Sequence, residues 1–322
     1  MENDDDLLLL QNFIYGKFHT WDEICVFLKS LAKEYPQWVN IEAIGTTFEQ
    51  RSIFMVTISS SFDNADKPSI FIEAGMHARE WLAPAVVMYS IGQLVTNSLY
   101  WKLIEETRWY FVPVANPDGY AYSHTTDRLW RKTRSPTLFP YCFGIDCNRN
   151  FDSHWSEAGS SKNPCSAVYH GPEPFSEPET SAIKEIVTRN ASHIKLFLSV
   201  HSYGQAIVYP WSHDTNNSDD LEDLEKIVKE VVKSMESING NLYRYGNAYK
   251  LTNCLAGGTS FDWAKEKAGI KYSYTIELPP DNTRSLGFLA ERNEILPAAK
   301  EFFDGLQTFQ KCIHKEFLQN GN

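Results

Sequence analysis

Short apolar runs and stripes of apolar residues at helical spacing alternate along most of this chain. Residues 69–72, Ser-Ile-Phe-Ile, form an apolar run just after Pro68 and read as a buried strand. Residues 39–44, 53–58, 109–114 and 194–200 read the same way, and residues 272–277 alternate as a strand does. Helical signals fall between these runs. Thr20-Trp21-Asp22-Glu23 is a capping box ahead of Ile24, Phe27, Leu28 and Leu31, and Pro36 closes the stretch. Pro84 suits the first turn of a helix running through Val86, Val87, Tyr89, Ile91 and Leu94. Ser176-Glu177-Pro178-Glu179 reads as a capped start, with Ser176 as cap and Glu179 in capping-box position. Residues 219–237 form an amphipathic outer helix ended by Asn239-Gly240, and Gly257-Gly258 precede a short helix over 260–268 closed by Gly269. Asn116-Pro117-Asp118-Gly119 reads as a turn. Strand, helix, neighbouring strand is the signature of a largely parallel sheet, so the fold class is α/β.

Composition narrows this. With 322 residues, 43% hydrophobic and 14% aromatic, the chain can bury a large core. No linker or repeat divides it, which favours one domain. A net charge of -11 argues against nucleic acid or an anionic membrane as partner, and no apolar stretch is long enough to span a bilayer. The start, four acidic residues near Met1 and then Leu7 to Leu10, does not have the pattern of a signal peptide. Residues 1–11 are expected to be a tail or a processing junction. Six cysteines lack close metal-ribbon spacing, and on that evidence both redox compartments stay open. Two sequons, Asn190-Ala191-Ser192 and Asn216-Asn217-Ser218, are compatible with secretion.

Candidate chemistry gathers at strand ends. Gly75 breaks the strand over 69–72, and His77 and Glu80 follow, three residues apart. An imidazole and a carboxylate converging there suit zinc, although the pair alone is weak and a third ligand must come from elsewhere. His201 follows the strand over 194–200, at the sheet end where α/β folds bind ligands, and is the natural third ligand. Glu277 ends another strand before Pro279-Pro280, well placed as a general base; a solvent-facing strand terminus is the plainer reading. Residues 119–174 are long and irregular and carry Arg128, Arg131, Lys132, Arg134, Asp146, Asn148, Arg149 and Asn150. Clustered Arg and Asn suit a carboxylate-gripping site; a solvated basic loop is the alternative.

In this order the pieces resemble the zinc metallocarboxypeptidases of the pancreatic carboxypeptidase A and B type, over roughly residues 12–310. His77-Ala78-Arg79-Glu80-Trp81 is similar to the family's first zinc motif. Residues 128–134 and 146–150 are similar to its substrate-binding loop, Ser199-Val200-His201-Ser202-Tyr203 to its third-ligand segment, and residues 272–278 to its catalytic-glutamate strand.

The resemblance implies a single α/β domain, residues 12–315, with a mixed, mostly parallel twisted sheet of about eight strands, helices on both faces, and a tail over 316–322. It implies one Zn2+ held by His77, Glu80 and His201. Glu277 would activate a zinc-bound water, Arg131 would stabilise the oxyanion, and Asp146 would orient His77 from behind. Asn148, Arg149 and Tyr203 would hold the terminal carboxylate or its neighbourhood, and Arg79 would bind further upstream. Substrates would be peptides or proteins with a free C-terminus, with a pro-segment or a protein inhibitor as further partners. Phe261 matches the position at the pocket floor, where basic-residue enzymes of the family carry an acid and those selecting acidic residues carry a base. An apolar or aromatic C-terminal residue is therefore expected, with Ser212, Thr259 and Ser260 lining the pocket. Cys142 and Cys165 match the family's disulfide, which points to a secreted or extracellular protein, and Ser202-Tyr203 matches its cis peptide.

Two departures stand out. The family's closing-loop tyrosine falls at Cys254 or Asn253, neither a phenol, and Pro279 to Arg284 is longer than usual. Two other readings follow: a catalytically weak binder of C-terminal peptides, favoured by the altered loop, and a zinc amidohydrolase of small acyl-amino acids.

Overall fold

The computed structural model describes residue 13, residues 15–64 and residues 67–319. The expected tail over 1–11 and residues 320–322 lie outside the described residues.

The elements run α1 (Trp21–Glu34), β1 (Val39–Thr46), β2 (Ser52–Ile58), β3 (Ser69–Ala74), α2 (Leu82–Thr96), α3 (Trp101–Glu106), β4 (Arg108–Val112), α4 (Pro117–Thr125), α5 (Pro178–Asn190), β5 (Ile194–Gly204), β6 (Ala206–Tyr209), α6 (Leu221–Asn239), β7 (Arg244–Asn247), α7 (Ala248–Thr252), α8 (Ser260–Glu266), β8 (Tyr272–Asp281) and α9 (Arg292–Gln319). The strands form one eight-stranded sheet in the order β1-β2-β4-β3-β5-β8-β6-β7. Its middle, β4-β3-β5-β8, is parallel, while β1-β2, β2-β4 and β6-β8 pair antiparallel. Every residue of β3 and β4 is buried, so these strands read as runs rather than alternations, apolar but for Ser69 and Glu73 of β3 and Arg108 of β4.

Both faces are covered. Ile24 and Leu28 of α1, Val86 and Ile91 of α2, Val228 and Val231 of α6 and Phe302 and Phe309 of α9 pack in the cluster on one side. Ile183 and Val187 of α5 and Phe261 and Trp263 of α8 pack with Phe71 and Phe197 on the other. A single α/β domain with helices on both faces is thus borne out.

Local signals mostly translate directly. The Thr20/Glu23 capping box forms with both of its bonds, at 3.3 and 2.9 Å. Four expectations change. Asn116 to Gly119 is not a free turn: Asn116 caps α4, accepting from the Gly119 N–H at 2.9 Å, with Pro117 in the first turn. The cap of α5 is Glu177 rather than Ser176, and no side chain closes it, because the Glu177 carboxylate is taken by the hydroxyls of Thr133 and Ser135. β5 continues through His201 to Gly204, so His201 lies within the strand. The expected boundary at residue 315 falls inside α9, which runs on to Gln319.

Candidate metal centre and active site

β3 ends at Ala74, and Gly75 turns the chain with φ of 64°; a Cβ there would lie 3.1 Å from Val114 Cα and from Pro84 Cγ, so glycine permits both the turn and the close approach. The chain then tightens, Glu80 N–H donating to the His77 carbonyl at 3.2 Å, which brings both side chains to one point. β5 lies beside β3 in parallel, Ala74 opposite Val200, and delivers His201 to the same end of the sheet.

His77, Glu80 and His201 meet there, 4%, 4% and 1% exposed. His77 Nδ1 lies 2.8 Å from Glu80 Oε1, His201 Nδ1 2.8 Å from Glu80 Oε2, and the two Nδ1 atoms 3.1 Å apart. The outer nitrogen of each ring is occupied. His77 Nε2 lies 3.1 Å from Asp146 Oδ1, and His201 Nε2 2.8 Å from Ser199 Oγ, whose own proton goes to Glu73. With both outer nitrogens protonated, both Nδ1 lone pairs face inward. Two lone pairs at that distance, beside a carboxylate, repel unless a cation lies between them. The donor set, two imidazoles and one carboxylate with polar partners behind the rings, fits zinc. The electrostatics call for positive charge at the same point. Burial pushes Glu80 up, but His77 and His201 outweigh it and hold the carboxyl well below its usual range. Burial lowers His201, yet Glu80 raises the imidazole to about 9.

Around this centre lie the other expected residues. Arg131 binds Asp146 Oδ2 through Nε and a terminal nitrogen at 3.0 and 2.8 Å and directs its other terminal nitrogen to His77 Nδ1 at 3.3 Å. Asp146 is wholly buried; burial opposes its charge, but Arg131 and His77 hold its carboxyl far below the usual range. Glu277 is the register partner of His201 across β5 and β8. Desolvation raises its carboxyl, His201 opposes, Glu80 adds and Arg131 opposes, leaving it at about 7. Asn148 and Arg149 occupy a short 3-10 turn capped by Asp146, which accepts the Asn148 N–H at 3.0 Å. Asn148 Oδ1 accepts from Ser260 N–H, and Arg149 is braced on the Gly159 and Asn148 carbonyls.

The rim is aromatic. The Arg79 guanidinium lies 4.0 Å over Phe288, and Tyr203 meets the same ring edge-on at 4.8 Å. Arg128 ties these together, donating to the carbonyls of Arg79 and Phe288 at 2.7 and 2.6 Å while stacking on Trp81. The Ser202–Tyr203 peptide is cis, as expected, and so are Pro210–Trp211 and Pro279–Pro280. Phe261 is buried, and the hydroxyls of Ser212 and Thr259 lie 3.1 Å apart. Ser260 differs from expectation: its hydroxyl turns under the centre to Glu73 at 2.9 Å rather than into the pocket. Cys142 and Cys165 are bonded; among the described residues Cys25, Cys147, Cys254 and Cys312 are free, with Cys254 exposed.

Sequence reasoning missed Glu73, Ser199 and Phe288. For Glu73 a signal existed: a carboxylate in the middle of a wholly buried strand needs partners. Burial raises its carboxyl against His201 and the hydroxyls of Ser199 and Ser260.

Comparison with known proteins agrees with this geometry. A family model described as zinc carboxypeptidase matches residues 24–305. The chain is 42% identical to carboxypeptidase B of Astacus astacus, over 93% of this chain and 98% of that one. It is 40% identical to zinc carboxypeptidase A 1 of Anopheles gambiae, over 92% and 68%. Among solved structures, bovine thrombin-activatable fibrinolysis inhibitor in complex with tick carboxypeptidase inhibitor superposes with a TM-score of 0.87 at 35% identity, covering 94% of this chain and 99% of that one. Carboxypeptidase A from Helicoverpa armigera gives 0.89 at 30% identity, covering 98% and 80%. Sequence, fold and ligand geometry converge, and the chain belongs to the zinc carboxypeptidase family.

Proposed function

We propose that this chain removes the last residue of peptides and proteins, preferring an apolar or aromatic C-terminal side chain. The observation that carries the chemistry is the register pair His201 and Glu277, which sets a proton acceptor beside the ligand set. Asn148 and Arg149, braced from behind, bind the terminal carboxylate, with Tyr203 beside them and Arg79 reaching the upstream residues. That grip fixes which peptide bond reaches Glu277, so only the last is cut. His77, Glu80 and His201 would hold the zinc, which when bound acidifies water and polarises the scissile carbonyl. Glu277, its carboxyl near neutrality, accepts the proton of the attacking water and later returns it to the leaving amine. Arg131, locked to Asp146, donates to the developing oxyanion.

Relatives named carboxypeptidase A and carboxypeptidase B both match, so preference rests on this chain's own pocket. Phe261 is neither acid nor base, and burial in an apolar cluster leaves no charge at that position for a basic or acidic residue to pair with. Release rates from peptides varied at the last position test this. Phe or Leu should leave fastest, and fastest release of Lys or Arg would overturn it. A second reading, retained binding with slow turnover, is supported by Cys254 or Asn253, neither a phenol, falling at the closing-loop position. The Cys142–Cys165 bond supports secretion. A protein inhibitor is a fitting partner, as the inhibitor-bound bovine structure suggests by likeness.

A further inference from the structure

The chain carries two Asn-x-Ser sequons, and their surroundings are opposite. We propose that Asn216 is an N-glycosylation site and that Asn190 is not. The inference rests on the secretory reading above.

An N-linked glycan replaces one hydrogen on the asparagine Nδ2 and projects a bulky hydrated group, so the amide needs an outward path. Residues 215–217 are exposed, on the loop between β6 and α6. Asn216 Nδ2 lies 3.1 and 3.2 Å from the two carboxylate oxygens of Asp214, a neighbour on the same loop. A substituted amide keeps one N–H for that contact. The loop is tethered from the other side: Asn247 Nδ2 donates to the Asn216 carbonyl at 3.4 Å, Lys250 Nζ to Asn217 Oδ1 at 2.7 Å, and Ser218 is buried. These bonds use the backbone and the flanking residues, and the Asn216 side chain remains on the surface.

Asn190 is the last residue of α5 and is half-buried. Its Nδ2 donates to the Ile186 carbonyl at 2.8 Å, one turn back, and its Oδ1 accepts from the Tyr110 hydroxyl of β4 at 3.4 Å. Both ends of the amide are therefore committed between a helix end and the sheet. Ile186 and Val187, on the same turn, are buried in the core. A substituted amide could keep its N–H on the Ile186 carbonyl, but the saccharide would then have to leave from a half-buried side chain held between the end of α5 and β4, with no open path of the kind Asn216 has.

The test is intact mass of the enzyme secreted from insect cells behind a foreign leader peptide, before and after peptide-N-glycosidase, with peptide mapping of the Asn to Asp conversion. The expected result is one glycan on wild type, lost in Asn216→Gln and in Ser218→Ala, and unchanged in Asn190→Gln. Restoration in Ser218→Thr separates loss of the sequon from misfolding, and unchanged dipeptide turnover by Asn216→Gln shows that the variant folds. Unmodified wild type beside an occupied control glycoprotein, or a glycan persisting in Asn216→Gln, overturns the proposal. Because the leader is supplied, the native secretory route and the site are judged separately.

Discussion

The floor of the cleft and its rim are built differently. On the floor, His77, Glu80 and His201 come from adjoining strands or the turn just beyond one, almost fully buried, and each has a second polar partner behind or beside it. The rim is loop. By resemblance Cys254 belongs to it, exposed after a five-residue helix, and Leu286, in the segment after β8 that carries Phe288, is 61% exposed with φ of 62°. The floor holds reacting groups through interlocked bonds, where one change propagates. The rim, being loop, presents parts that can be exchanged singly. On the proposed reading, a chain can lack a closing phenol while its metal-ligating group stays together.

Damage to the floor should therefore exceed damage to the rim. Removing the metal with a chelator, or a ligand by His201→Ala, should abolish hydrolysis, with bound zinc counted by atomic absorption; full activity at zero zinc would break the comparison outright. Glu277→Ala should lower kcat by about 10³-fold while leaving zinc content unchanged, which separates the proton acceptor from the ligands. Arg131→Ala should lower kcat by roughly 10²-fold more than it raises KM in steady-state assays. A pH profile sharpens this. In the proposed role of base Glu277 is inactive when protonated, so kcat/KM should climb with rising pH along a limb at or below about 7. A bound dication moves that limb lower, and Glu277→Gln should remove it. The smallest effect belongs to the rim: Cys254→Tyr should lower KM for a blocked dipeptide by about fivefold, a single hydrogen bond's worth, with kcat nearly unchanged.

Much of this was legible in the residues. The run Ser69 to Ile72 marks β3 because a strand buried on both faces carries a largely apolar run instead of an alternation. The capping box marks α1 because its bonds are local. Harder to read are β6 and β7, four residues each, which exist through pairing with each other and β8 rather than through their own pattern. The last helix is obscured by Pro297 inside it. The ligand residues could be named from motif and resemblance. The Glu73–Ser199–His201 chain could not, because a serine in a strand does not announce which neighbour its hydroxyl meets.

By itself the sequence determined the α/β class, the ordering of the motifs and the residue types offered to a metal and a carboxylate, since these depend on short-range periodicity and on chemistry carried by single side chains. Only the tertiary structure decided that His77 and His201, 124 residues apart, stand 3.1 Å from each other with their outer nitrogens occupied. It also decided that Ser260 turns under the centre and that Asn190 is locked while Asn216 is exposed. Such facts depend on strand register and on the packing of helices against both faces of the sheet, which the whole chain sets at once.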